Sequence, residues 1–294
     1  MNGLKGKRLV ICAALLALML VLLTGDESMA EGMFGALELE ATEGRAAKAE
    51  CYLPDNAGYE DESLSIRIET MRAHDTTIMV ARVKIAHPSQ MRTAMAARYG
   101  STGTVMPDKL AQRAKAVLAV NGDFFNYNSI GYLVRQGKVY REKPDELYDM
   151  LIIDDKGDFH IIVDPSKQKV AEFSGTMINT FNFGPALVVD GEIVKTTKRV
   201  NVGLEKETQR MGIGQIGPLE YICVATEGPE NKDSDGLTIP EFAQLMKDLG
   251  AVQAYNLDGG SSSAMMLNGK KINALSSRKL RPICDILYFS TLVE

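Results

Sequence analysis

A chain of 294 residues with 45% hydrophobic side chains holds enough apolar material for a core that needs neither disulfide staples nor a structural metal. Its 33 Lys and Arg against 38 Asp and Glu leave a net charge of -5, with no basic block beyond the extreme N-terminus, which excludes nucleic acid as a partner because that requires clustered positive charge. The absence of tryptophan and an aromatic share of only 6% exclude a Trp-lined platform for long polysaccharides but leave room for a short glycan.

The chain opens with Lys5, Lys7 and Arg8, then an apolar run over residues 9–23, then a polar stretch ending in Ser28-Met29-Ala30. Basic, apolar and small-residue segments in this order define a secretory leader. Cleavage after Ala30 meets the small-x-small rule. Retention of residues 9–23 as a membrane anchor is the alternative, because the run approaches the roughly 20 residues that a span needs. Residues 1–30 are therefore read as signal peptide or N-terminal anchor, and the protein as secreted or held in the cell envelope. Cys12 follows Ile11, where lipid attachment needs a small residue, so a lipoprotein is excluded. Residues 31–62, rich in Ala, Glu and Gly with a turn at 54–58, read as a spacer, and residues 63–294 as one domain.

Strand signals dominate that domain. Residues 64–68 (LSIRI) alternate strictly and residues 78–85 are rich in β-branched side chains. Further strands are expected at 116–120, at 150–153 paired with 159–163, and at 186–189 before the Asp190-Gly191 turn. Residues 211–216 and 219–225 form another expected pair across Gly217-Pro218. The clearest helix begins at Thr238, which caps it; Glu241 completes a capping box, and Phe242, Leu245, Met246 and Leu249 share one face before Gly250. A strand follows and carries Asp258 to its end. The expected class is α+β, with a mixed β-sheet core and few helices in a single domain.

Beyond the leader, Cys51, Cys223 and Cys284 are too few for a disulfide framework. Cys223 and Cys284 lie in apolar strand-like runs and read as small buried residues; one disulfide among the three is the alternative. His74, His87 and His160 are scattered, with no Cys/His cluster, so no metal and no cofactor are expected.

Four segments join apolar strand, polar residue and glycine beyond what packing requires: NGDFFN at 121–126, NFGPA at 182–186, RMGIG at 210–214 and NLDGGSSSA at 256–264. NLDGGSSSAM, preceded by the helix IPEFAQLMKDLGA, resembles the signature of the phosphodiester glycosidase family. NGDFF, FGPALVVDG and RMGIG precede it in the family's order, and Arg281-Pro282 fits the C-terminal end, so the resemblance covers roughly residues 84–289.

The resemblance implies hydrolysis of a sugar 1-phosphodiester. Glycoside cleavage employs carboxylic acids around an oxocarbenium-like transition state, and a phosphate leaving group needs charge stabilisation more than protonation. Asp258 and Asp123 are the expected catalytic carboxylates, with Arg210 as a catalytic phosphate clamp and Arg281 as a second clamp. Asn121 and Asn256 are expected to orient sugar hydroxyls, and backbone amides near Gly259, Gly260 and Ser261 to bind an oxyanion. The family's Asp-Gly-Arg segment reads Thr226-Glu227-Gly228-Pro229 here, which keeps an acid in Glu227 and loses the arginine.

Other chemistries fail on spacing. Gly259-Gly260-Ser261-Ser262-Ser263 lacks the second glycine of a nucleophile elbow and has no downstream histidine. The stretch 231–236 mimics a calcium loop, but its twelfth position is Phe242. The glycine motifs lack a P-loop lysine, and none is a GxGxxG that follows a strand. The expected partner is a carbohydrate phosphodiester, with membrane attachment only through residues 9–23. The alternative reading is a non-catalytic glycan-binding protein that assists exopolysaccharide or envelope assembly. For export, N-terminal sequencing of protein recovered outside the cytoplasm is expected to read from Glu31; intact Met1 in a membrane fraction would assign the leader to an anchor.

Overall fold

The alternating and β-branched runs form four sheets in a computed structural model, which describes residues 35–41, 43–127, 129–195, 203–273 and 280–294. The leader, with Cys12 and residues 9–23, lies outside the described residues. An eight-stranded sheet runs in the order β1 (Gly58–Glu60), β2 (Leu64–Ala73), β3 (Thr76–Ile85), β14 (Glu220–Thr226), β13 (Met211–Gly217), β15 (Gln253–Leu257), β11 (Ala186–Val189) and β12 (Glu192–Ile193). A five-stranded sheet has the order β17 (Lys270–Lys271), β16 (Met265–Leu267), β5 (Leu118–Asn121), β18 (Asp285–Phe289) and β4 (Met91–Met95). The three-stranded sheet is β10 (Met177–Phe181), β8 (Met150–Asp154) and β9 (Phe159–Ile162), and β6 (Gly131–Arg135) pairs with β7 (Lys138–Lys143). Every ladder among the described strands is antiparallel. Among the described residues three short α-helices, α1 (Pro107–Arg113), α2 (Lys167–Ala171) and α3 (Ile239–Asp248), complete the α+β class expected from the sequence.

Period-two alternation divides the side chains between two layers. Along β14, Tyr221, Cys223 and Ala225 enter the main core, where Leu118, Val120, Leu287 and Phe289 of the five-stranded sheet meet them. Ile222 and Val224 point the other way and pack under Phe242, Leu245 and Met246 of α3. Thr238 caps α3 and Glu241 closes the capping box. The RMGIG glycines serve this packing rather than a ligand. A Cβ on Gly212 would lie 2.8 Å from the Phe242 ring, and one on Gly214 would lie 3.1 Å from the Met246 methyl.

Leu37–Glu294 form one compact unit, so part of the segment read as spacer packs on the sheets. Tyr59 of β1 is in the main core. Buried Arg92 donates to the carbonyls of Glu38 and Ala41, at 2.9 and 2.6 Å. Cys51, Cys223 and Cys284 are free thiols, the last two buried.

One buried charge cluster ties three sheets together. Arg135, at the end of β6, is 3% exposed and reaches Asp285 Oδ2 of β18 at 2.6 Å and Asp123 Oδ1, just past β5, at 3.1 Å. It also donates to the Thr180 carbonyl of β10 and stacks 4.6 Å above the Phe181 ring. Removing one partner of a buried pair strands the others without compensation. Arg135→Met is therefore expected to destabilise the fold by about 3–5 kcal/mol in urea unfolding; a loss below about 1 kcal/mol would show that the cluster is not needed to hold the sheets.

Candidate active site

The site forms where β5 and β15 leave their sheets. Asn121, the last residue of β5, donates through Nδ2 to the Asp258 carbonyl at 2.6 Å, and its Oδ1 accepts the Ala264 amide at 3.0 Å. Both ends of its amide are thus used to clamp the loop 258–264 onto β5. Asn121, expected from the sequence to orient a sugar hydroxyl, lines the first cavity and here positions this loop. Past Asp258 the chain needs its glycines. A Cβ on Gly259 would lie 2.6 Å from the Gln209 carbonyl, and Gly260 adopts φ +56 while donating to the same carbonyl at 3.1 Å.

The turn Gly260–Ser262 brings Ser262 back beside the Asp258 carboxylate. Arg281 approaches from the C-terminal side, with Nη2 donating to Asp258 Oδ2 at 3.0 Å and Nε donating to Ser262 Oγ at 2.5 Å. Burial raises the Asp258 carboxyl above its ordinary value, against the pull of the Ser262 hydroxyl, the Arg281 guanidinium and the Gly259 amide. The Arg281 side chain is 55% exposed and the Asp258 side chain 15%, so both can meet a ligand.

Two cavities flank this pair. The first, about 460 Å³, is lined by Asn121, Asp123, Tyr127, Asp258, Arg281 and Asp285 among others. The second, about 420 Å³, is lined by Lys206, Gln209, Arg210, Asn256, Asp258 and Gly260 among others. Phe183 and Asp258 border both.

The sequence-predicted residues divide between them. Asp123 sits on the floor of the first cavity, where Oδ1 faces Arg135 and accepts the Phe125 amide at 3.2 Å, and Oδ2 accepts the Asn182 amide at 3.0 Å. Both its oxygens are engaged by the fold. Arg210 lines the second cavity, apart from Arg281. Its guanidinium donates to the carbonyls of Leu237 at 2.8 Å, Gly203 at 3.2 Å and Lys206 at 2.5 Å. Burial lowers that guanidinium to about 10, which leaves it cationic at neutral pH. These bonds brace the cavity wall, and the phosphate clamp expected from its motif is here engaged by loop carbonyls. Asn256, on β15, lines the second cavity with Gly259 and Gly260. The Ser261 carbonyl accepts the Arg281 amide at 3.4 Å. Glu227 is in neither lining; its Oε2 accepts from Ser234 Oγ at 2.6 Å, which closes its own loop.

Sequence reasoning missed Asp285, Arg135 and Ser262. Asp285 was detectable, since a charged residue within the apolar run 283–289 requires a buried partner. It explains the glycine of NGDFF: a Cβ on Gly122 would lie 2.4 Å from the Asp285 carboxylate. Burial pushes the Asp285 carboxyl up to about 8; Asp123 adds to the rise, and Arg135 opposes it.

The family model described as phosphodiester glycosidase matches residues 114–290. The SPbeta prophage-derived uncharacterized protein YomE of Bacillus subtilis is 25% identical over 197 residues, a match covering 65% of this chain and 30% of that protein. The chain thus spans less than a third of that relative. Among solved structures, the catalytic domain of zebrafish N-acetylglucosamine-1-phosphodiester alpha-N-acetylglucosaminidase, auto-inhibited by its pro-peptide, superposes with a TM-score of 0.63 at 18% identity. The superposition covers 85% of this chain and 88% of that one. A hypothetical protein from Synechocystis gives a TM-score of 0.52 at 17% identity, covering 77% of this chain and 62% of its own. At these identities the structures show a shared fold.

The raised Asp285 carboxyl links stability to pH. Its folded value of about 8 exceeds the ordinary 3.8, so unfolding between those limits releases a proton, and stability falls as pH rises through that window. Asp285→Asn lacks this titration. In urea unfolding from about pH 5 to 8, the variant is expected to gain on the parent by up to about 1.4 kcal/mol per pH unit. Parallel pH profiles would show that Asp285 ionises normally.

Proposed function

Since the chain belongs to the phosphodiester glycosidase family, a family of glycosidase-type hydrolases, we propose that it is an exported enzyme that hydrolyses a sugar 1-phosphodiester to free sugar and a phosphomonoester. An α-linked N-acetylglucosamine 1-phosphodiester is the model substrate, and envelope glycans or exopolysaccharide are the setting. The observation that carries this reading is the pairing of Asp258 with a half-exposed Arg281 at the border of two cavities. A phosphodiester substrate has two unlike halves joined at one scissile bond, and the border between the cavities is where that bond fits.

The chemistry follows from the charges. As the C1–O bond breaks, its electron pair leaves on the phosphate oxygen and positive charge develops at C1 and the ring oxygen. Asp258 in its ionised form stabilises that positive charge. Arg281 is drawn to the phosphate and stabilises the departing negative charge, so little protonation of the leaving group is required. A water oxygen then bonds to C1 and its proton passes to solvent. Arg281 gives up little on moving between Asp258 and substrate, because an exposed pair contributes little stability. Export rests on the leader over residues 1–30. Among the described residues no helix is long and apolar enough to cross a membrane.

The purified chain is expected to release free sugar from at least one member of a panel of sugar 1-phosphodiesters. Asp258→Asn keeps size and loses charge, so kcat is expected to fall by about 100-fold or more with KM little changed. An Asn variant with near-normal kcat would remove Asp258 from the chemistry.

A further inference from the structure

Asn256 carries an unsatisfied acceptor at the second cavity. The residue is 1% exposed, and its Nδ2 donates to the Gly184 carbonyl at 2.8 Å. That bond fixes the orientation of the amide, because flipping it would set Oδ1 against a carbonyl oxygen. The Oδ1 atom is buried and has no hydrogen-bond partner among the described residues. A buried acceptor left unmade is unfavourable, and a ligand that donates to it recovers the loss.

The two halves of a sugar phosphodiester differ in this respect. At neutral pH the phosphodiester group offers only acceptor oxygens. A pyranose offers hydroxyl donors, and a 2-acetamido sugar adds an N–H. Oδ1 of Asn256 repels the first half and accepts from the second. The cations of the two cavities agree with this division: Arg281 opens into the first, while the Arg210 guanidinium in the second is engaged by backbone carbonyls. Lys206 and the glycine turn Gly259-Gly260, at the wall of the second cavity, favour the opposite placement.

We propose that the cavity behind Asn256 is the sugar subsite, where Asn256 Oδ1 accepts a hydrogen bond from a ring hydroxyl or acetamido N–H, and that the phosphate and its aglycone lie in the first cavity on Arg281. The proposal rests on the sugar-phosphodiester reading and gives the substrate a direction across Asp258. Asn256 thereby selects for a donor on the sugar.

Calorimetric binding to the full chain tests it, with free N-acetylglucosamine, glucose, galactose and mannose as sugar probes and inorganic phosphate as the anion probe. The parent is expected to bind at least one pyranose and phosphate together, without competition. Asn256→Leu is expected to weaken the sugar by about tenfold and leave phosphate within about twofold. Arg281→Gln, at an exposed position, is expected to weaken phosphate alone, which keeps the test open if the Asn256 variant fails to fold. Loss of phosphate but not sugar in Asn256→Leu, competition between the two probes, or no pyranose binding by the parent overturns the assignment. Turnover on sugar 1-phosphodiesters is scored separately. The crossed binding pattern without turnover would keep the subsite and end the hydrolase reading, whereas turnover with the inverted pattern would do the reverse.

Discussion

Arg135 takes a positive charge into the interior at the point where three sheets meet, and the acid side chains of Asp123 and Asp285 accompany it because an unpaired charge there would be prohibitively unfavourable. Asp285 comes from β18, Asp123 from the end of β5, and the guanidinium from the end of β6. Asp123 and Asp285 of the cluster line the first cavity, and the chain around them is shaped to fit. Gly122 has no side chain because the Asp285 carboxylate occupies that space. One residue earlier, Asn121 turns its amide outward to hold the loop that bears Asp258. The position of the Asp258 carboxylate is therefore set by a chain of contacts that begins at the buried arginine.

Three arginines stand near this site, and burial separates their work. Arg135 is locked between two carboxylates, and Arg210 is braced against loop carbonyls. Removing either from its partners would leave buried polar groups unsatisfied. Arg281 is half in water, and its pair with Asp258 is of the kind that contributes little to stability. It is the one of these three that an anionic substrate can recruit at small cost. The same comparison distinguishes the carboxylates: Asp123 has both oxygens engaged by the fold, whereas Asp258 stands at the border of the two cavities.

Much of this was legible in the sequence where the cause was local. Alternation of apolar residues marked β2, β-branched side chains marked β3, the Gly217-Pro218 break marked the β13–β14 pair, Asp190-Gly191 marked the β11–β12 turn, and Thr238 with Glu241 marked the start of α3. The loop around Asp258 stood out because a buried strand breaks there into Gly-Gly. What was not legible depends on distant contacts. The glycines of RMGIG look like those of a ligand loop, but the helix that needs their space begins more than 20 residues later. The amide of Asn121 looks free until the partners 137 and 143 residues away are known. Arg135 sits in a hairpin with no motif of its own, and polar composition concealed the packing of residues 37–62.

The central claim is that this cleft breaks the bond between C1 and oxygen rather than the bond between oxygen and phosphorus. Hydrolysis of a sugar 1-phosphodiester by the purified chain in ¹⁸O-labelled water, followed by mass spectrometry of both products, tests it most directly. The account predicts that the label enters the sugar hydroxyl at C1 and that the phosphomonoester carries none. Label in the phosphomonoester would place the cut at phosphorus and contradict it.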